Sequence, residues 1–255
     1  MNFIISANTD IGTVKATNQD SLSVKVLNTK LGRMAFAVLC DGMGGLEKGE
    51  VASASVIRAF DQWARTKLPE MCEHSIDSAL IKQQWEEILL SQNNIIKTYG
   101  ARHGVRLGTT AVLILVTETV SFVMNVGDSR VYEISDNIVQ LTNDQTFVAR
   151  EVALGNMTPE QAENDPRRSV LLQCIGASEE VYPDFHIYDT KNNATYMLCS
   201  DGFRHVITAE EIFNSFNPQM LLNDTDMNRN TLGLIELNKQ RNERDNISVV
   251  LIRTF

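Results

Sequence analysis

Apolar residues fall into two patterns along this chain. Short runs rich in β-branched residues predict strands at Ser21–Val26, Met34–Cys40, Thr110–Val116, Val120–Val126, Arg130–Ser135, Ile138–Leu141, His186–Tyr188, Ala194–Cys199 and Ile247–Ile252. The connections at Glu118, Gly127-Asp128 and Asp136-Asn137 are tight, which predicts antiparallel hairpins rather than parallel crossovers. Between the early strands the period lengthens. Ala52, Val56, Ala59, Phe60 and Trp63 recur at helical spacing, as do Ile81, Trp85, Ile88, Ile95 and Tyr99. Each set predicts a helix with one apolar face for a sheet. Thr158-Pro159-Glu160-Gln161 reads as a capped helix start with proline at its first position, and Thr208 with Glu211 as a second capping box. A last helix is expected over about Met227 to Lys239. Antiparallel strands with helices packed on their faces predict a layered α+β domain.

No Pro/Ser/Gly-rich linker and no repeat divides the 255 residues, so a single domain over 1–255 is expected. The formal net charge is −9, which disfavours nucleic acid and anionic membrane as general partners. The opening segment Met1 to Asp10 has no basic leader and too short an apolar stretch for a signal peptide, and no run is long enough to span a bilayer. A cytoplasmic protein is expected. The cysteines Cys40, Cys72, Cys174 and Cys199 form no C-x-x-C pair, and Cys40 and Cys199 lie in apolar runs that would bury them. His74, His103, His186 and His205 are scattered, without the spacing of a histidine zinc site.

The candidate chemistry lies in aspartates at strand ends. Ala37 to Cys40 runs into Asp41-Gly42-Met43-Gly44-Gly45, and Phe122 to Val126 into Gly127-Asp128-Ser129-Arg130. Tyr196 to Cys199 runs into Ser200-Asp201-Gly202; Asp245-Asn246 opens the last strand, and Asn18-Gln19-Asp20 the first. Any one of these is also an ordinary turn, because glycine tolerates positive φ. As a set they differ, since strands that share a core can bring their ends together. Clustered carboxylates repel and lose hydration on burial, and divalent cations offset both costs. All-oxygen ligation points to magnesium or manganese. Gly42, Gly44 and Gly45 would let backbone approach a metal or phosphate closely, and Gly42 could offer its carbonyl oxygen. No Gly-Lys-Ser/Thr follows, so this is not a Walker A loop.

In order along essentially the whole chain, these residues resemble the metal-dependent protein phosphatases, the PPM or type 2C family, in their bacterial form. The likeness rests on Thr9-Asp10-x-Gly12 with Asn18-Gln19-Asp20, Asp41-Gly42-Met43-Gly44-Gly45, Gly108-Thr109-Thr110-Ala111 and Val126-Gly127-Asp128-Ser129-Arg130. It continues through Leu141-Thr142-x-Asp144, Cys199-Ser200-Asp201-Gly202 and Asp245-Asn246-Ile247-Ser248. The resemblance implies a β-sandwich of two antiparallel sheets flanked by helix pairs. It also implies a mobile flap at about residues 144–176, which includes Leu154-Gly155, the capped short helix and Pro166. It implies hydrolysis of phosphoserine and phosphothreonine by metal-activated water at a binuclear magnesium or manganese centre, with two or three ions. Asp41 would bridge two ions, Asp201 and Asp245 would hold one of them, and the Gly42 carbonyl the other. Asp128, with Asp201, would hold a third. Asp20, Gln19 and Asn246 would stand behind the ligands. Implied partners are phosphorylated proteins, including a cognate serine/threonine kinase and its substrates.

Three positions depart from the family pattern. Lys15 stands where an arginine usually grips the substrate phosphate, and it keeps the charge without the planar two-pronged contact. Gln19 replaces a common glutamate. Met43 replaces a histidine of eukaryotic members and cannot protonate a leaving group. The changes at Lys15 and Gln19 motivate an alternative, a catalytically weak or inactive phosphatase-like binding module. The retained Asp41, Asp128, Asp201 and Asp245 argue against it. A metal-dependent nuclease would use the same carboxylates, but the acidic composition and the lack of a basic stripe disfavour it.

Overall fold

In a computed structural model of the chain, which describes residues 1–43 and 48–255, the predicted strands pair into two sheets. In chain order the elements are β1 (Phe3–Asp10), β2 (Ser21–Thr29), β3 (Gly32–Cys40), α1 (Gly49–Met71), α2 (Ser78–His103), β4 (Ala111–Val116) and β5 (Val120–Val126). Then come β6 (Arg130–Ile134), β7 (Ile138–Gln140), α3 (Phe147–Ala153), α4 (Pro159–Asn164), β8 (Asp184–Asp189) and β9 (Ala194–Cys199). The last are α5 (Asp201–Arg204), α6 (Ala209–Phe216), α7 (Asp224–Gln240) and β10 (Ile247–Thr254). One sheet has the order β1-β10-β9-β6-β7, the other β2-β3-β4-β5-β8, and every pairing is antiparallel.

The alternation along β3 shows how the layers stack. Ala35, Ala37 and Leu39 face the second sheet, where they join Leu198, Val250 and Ile252 in a core between the sheets. Met34, Phe36, Val38 and Cys40 face outward and pack under α1 and α2. Phe36, Phe60, Trp63 and Trp85 form one aromatic cluster there, with ring centroids 5.2 to 6.4 Å apart. On the far side Met197, Val249 and Leu251 pack against Phe203, Ile212, Phe216 and Leu234 of α5, α6 and α7. The result is helices, sheet, sheet, helices. All four cysteines are buried free thiols.

Two expectations are corrected, and one strand was not expected. β1 is a strand, paired along its whole length with β10 from Phe3↔Thr254 to Asp10↔Ile247. Its Ser-Ala-Asn-Thr run lacks apolar alternation because it lies at the edge of its sheet. The link at Gly127-Asp128 is no hairpin, since β5 belongs to one sheet and β6 to the other. The chain turns this corner at Gly127 with φ of 100°, where a Cβ would stand 2.6 Å from Thr110 Cγ2. The inner face of α2 runs through Ile81, Trp85, Leu89, Asn93 and Ile96, whereas Ile95 is half exposed. The face drifts because 3.6 residues per turn moves the stripe by one position over several turns.

Both capping boxes form as read. The side chain of Thr158 accepts from Gln161 N and that of Thr208 from Glu211 N, with the reciprocal glutamine and glutamate bonds present. The segment between β7 and β8 has a stitched neck. Phe147 N donates to Val170 O at 2.8 Å, and Leu172 N to Gln145 O at 2.8 Å. No helix among the described residues is long and apolar enough to cross a membrane.

Candidate metal centre

Strand register decides where the aspartates go. Cys40, just before Asp41, pairs with Ser21, just after Asp20. Ala111 pairs with Val126, so the corner carrying Asp128 lies beside Thr110. Cys199, two residues before Asp201, pairs with both Val249 and Arg130. Asp20, Asp41, Asp128, Asp201 and Asp245 therefore all lie at one end of the sandwich.

Hydrogen bonds fix the loops that carry them. Thr110 Oγ1 accepts from Asp41 N at 3.0 Å, and Thr110 N and Thr109 Oγ1 both donate to Asp41 O at 2.9 Å. Thr110 Oγ1 and Ser129 Oγ are 2.8 Å apart, which ties this strand to the Asp128 corner. Asn246 is the main clamp. Its Oδ1 accepts from Gln19 N at 2.9 Å, and its Nδ2 donates to Ile11 O and Thr17 O at 3.0 and 3.2 Å. Gln19 O accepts from Gly42 N at 3.2 Å and from Ser53 Oγ at 2.6 Å. The Gln19 amide itself turns to Glu50, 3.4 Å away. Gly42 is sterically required, since a Cβ there would meet Gln19 O at 2.4 Å and Gly49 backbone at 2.6 Å. Gly44 and Gly45 lie outside the described residues.

The charges at this end are poorly matched. Among the described residues, both Asp20 carboxylate oxygens and Asp201 Oδ1 are buried without a hydrogen-bond partner. Burial, with the neighbouring charges of Asp201 and Asp245, pushes Asp20 up to about 7 although the Ser248 and Ser200 hydroxyls stand beside it. Burial and the charges of Asp20, Asp201, Asp128 and Asp245 push Asp41 well above the usual carboxylate range. Asp128 also rises to about 7, through burial and Asp201, against the pull of Arg204. Such a group resists ionisation unless cations join it. Some outer carboxylates are turned to protein cations. Lys15 Nζ is 2.8 Å from Asp245 Oδ1, and His205 Nε2 is 3.4 Å from Asp201 Oδ2. Burial works against a charged His205, but Glu243 and Asp201 outweigh it and raise its pKa. Among the described residues no three His, Cys, Asp or Glu side chains are closed into a ready cage. The backbone positions converge while the side chains point to separate partners. Buried unpartnered oxygens in a cluster of carboxylates nonetheless fit a hard divalent ion, which takes oxygen ligands.

The family profile described as Protein phosphatase 2C matches residues 13–234. The chain belongs to this family. This family member is 28% identical over 251 residues to protein phosphatase PhpP of Streptococcus pneumoniae, covering 97% of the chain and 96% of that protein. Its fold is similar to that of the serine/threonine phosphatase Stp1 from Staphylococcus aureus, with a TM-score of 0.83 and 27% identity over 100% of this chain and 96% of that one. It is also similar to the catalytic domain of the serine/threonine protein phosphatase PstP, solved in complex with two manganese ions, with a TM-score of 0.76 and 28% identity over 98% of this chain and 97% of that one. The expected fold, two antiparallel sheets flanked by helices, is the one observed.

Sequence reading named Lys15 but missed the other cations around the carboxylates. Arg204 and His205 follow Asp201 on α5, three and four residues on, a spacing that places them on its face. That spacing was visible, but α5 was not expected. Arg130 and Asp144, part of two recognised motifs, form a two-pronged ion pair with contacts of 2.8 and 2.7 Å.

Proposed function

We infer that this chain is a protein serine/threonine phosphatase that hydrolyses phosphoserine and phosphothreonine at a centre of two manganese or magnesium ions. The observation that carries this is the convergence of Asp20, Asp41, Asp128, Asp201 and Asp245 at one end of a sandwich of the phosphatase 2C family. Asp41, Asp201 and Asp245, with the Gly42 carbonyl oxygen, would hold the ions. Once bound, such a pair activates water for attack on phosphorus and offsets charge on the phosphoryl oxygens.

The other residues position and balance this set. Asn246 locks the loops of Ile11, Thr17 and Gln19 onto the Asp245 strand, so Asp245 cannot drift from Asp41. Asp20 lies buried behind the ligands, and burial raises it to about 7, so cations joining the site would favour its ionised form. Lys15, at the rim beside Asp245, supplies positive charge for the substrate phosphate. A lysine is a point charge, so it attracts the phosphate without fixing its orientation. Met43 holds no proton to give, so it cannot protonate the leaving group. Phosphorylated proteins, among them a serine/threonine kinase and its targets, are the partners this chemistry requires.

The test is phosphate release from a phosphothreonine peptide by the purified chain with manganese, with magnesium and with EDTA, beside Asp201→Ala. Metal-dependent release that EDTA and the variant both abolish is expected. Absence of release from folded protein that still binds manganese would refute the enzyme reading.

A further inference from the structure

The outer edge of the carboxylate group contains an arginine. Asp201 opens α5 and Arg204 ends it, one turn away on the same side. The Arg204 side chain is 14% exposed, and Nη2 donates to the Asp128 carbonyl oxygen at 3.1 Å. The same nitrogen stands 3.8 Å from Asp128 Oδ2 and 3.6 Å from Asp144 Oδ2. Nε is buried without a partner among the described residues, so the charges of the two carboxylates, more than a full set of hydrogen bonds, hold the guanidinium here.

Charge at this corner can be followed residue by residue. Asp144 is already matched by Arg130, which grips both its oxygens and also donates to the Tyr132 hydroxyl. Asp128 is buried and, among the described residues, has no other arginine or lysine within ion-pair distance. Arg204 is thus its counter-ion. A guanidinium stays charged at every accessible pH, and its stem is fixed to the helix that carries Asp201. A divalent ion shared by Asp128 and Asp201 would have to approach this fixed positive charge and repel it.

We propose that Arg204 is a tethered cation that takes the place of an outer divalent ion at Asp128, so that this chain binds two ions through Asp41, Asp201 and Asp245 and none through Asp128. This rests on the metal centre inferred above, and it makes Asp128 a positioning residue for Arg204 and α5.

Manganese binding, counted by equilibrium dialysis with elemental analysis and followed by calorimetry, tests this without reference to activity. Wild type should bind two ions per chain, and Asp128→Asn should leave that number and the dissociation constants unchanged. Arg204→Met should add a third site, weaker than the two main ones but at least tenfold tighter than any residual third-ion binding in wild type, and the double variant with Asp128→Asn should lose it. Arg204→Lys, which keeps a charge, should again bind two. Loss of an ion from wild type on Asp128→Asn would overturn the proposal, as would Arg204→Met that binds like wild type. If Arg204→Met does not fold, the Asp128→Asn comparison decides alone. An Asp41→Asn control separates the two readings. If wild type binds two ions that this control loses, the centre stands whatever Arg204 does. If wild type binds none, the centre and the Arg204 proposal fall together.

Discussion

Removal of divalent ions should invert the usual pH dependence of stability in the neutral range. Asp20 has an ordinary pKa of 3.8 and is held at about 7 in the fold, mainly by burial. Asp128 is raised to about 7 as well, and burial with the neighbouring carboxylates raises Asp41 well above its ordinary value. Between these values the native chain binds protons that the unfolded chain has released, so native stability falls as pH rises. For one carboxyl moving from 3.8 to about 7, the loss between pH 5 and 8 is about 2.5 kcal/mol. In a chain of this size that corresponds to a fall of roughly 5–10 °C in Tm. His205, also raised, contributes in the same direction, because its stabilisation is lost as pH climbs through its folded value. Asp165 and Glu211, held near 2 by Arg167 and Arg241, act oppositely but titrate below this window. Urea denaturation in EDTA, at half-unit steps from pH 5 to 8, reads the slope. Manganese should reverse it, because the ions bind only deprotonated carboxylates. Asp20→Asn should remove about 2.5 kcal/mol of the loss in EDTA while leaving the shape of the site intact. A midpoint in EDTA that is flat or rises over this range would refute the burial of uncompensated carboxylates at this end of the sandwich.

Two further substitutions probe the frame around the centre. At Gly202 an added Cβ would lie 2.2 Å from Asn246 O and 3.2 Å from Asp245 Cβ. Because the nearer atom is backbone, Gly202→Ala should push α5 from β10, costing about 1–3 kcal/mol in denaturant titration and weakening manganese at least tenfold. Unchanged affinity would mean that Asp201 and Asp245 do not share an ion. Asn246→Ala leaves Gln19 N, Ile11 O and Thr17 O without their partner, and should destabilise by about 3 kcal/mol or more in the same assay. A loss under about 1 kcal/mol would show that these groups reach water.

The parts of this molecule legible in its sequence are those set by local chemistry. Thr158 and Thr208 cap their helices because the capping glutamine and glutamate lie three residues on, within reach of a single turn. The strand ends bearing Asp41, Asp128, Asp201 and Asp245 were visible for the same reason, as apolar runs that stop at an aspartate. Their convergence was legible as a possibility of strands that share a core, and its detail was not, since it depends on registers such as Cys40↔Ser21 and Cys199↔Val249 that join distant segments. β1 escaped notice because an edge strand need bury little, so its polar residues carry no alternation. The Gly127-Asp128 corner was mistaken for a hairpin because a tight turn reads alike whether the chain returns within one sheet or passes to the next. Arg204 was invisible because its meaning lies in Asp128 and Asp144, dozens of residues away.

The stitched neck of the segment between β7 and β8 has a consequence for how this chain can change. Phe147 N to Val170 O and Leu172 N to Gln145 O close the segment on itself before it meets the rest of the domain. Below that seam, Arg130 grips Asp144, and Ile175 pairs in both directions with Thr109, whose hydroxyl holds Asp41. Whatever lies above the seam can be lengthened, shortened or exchanged with small entropic cost, since closure depends only weakly on loop length. The hydrogen bonds that hold Asp41 lie below the seam, whereas Val148, Pro159 and Arg168 above it wall the cavity that Asp128 and Arg204 also line. A change above the seam would therefore reshape one wall of that cavity while leaving the loops around Asp41 tied as they are.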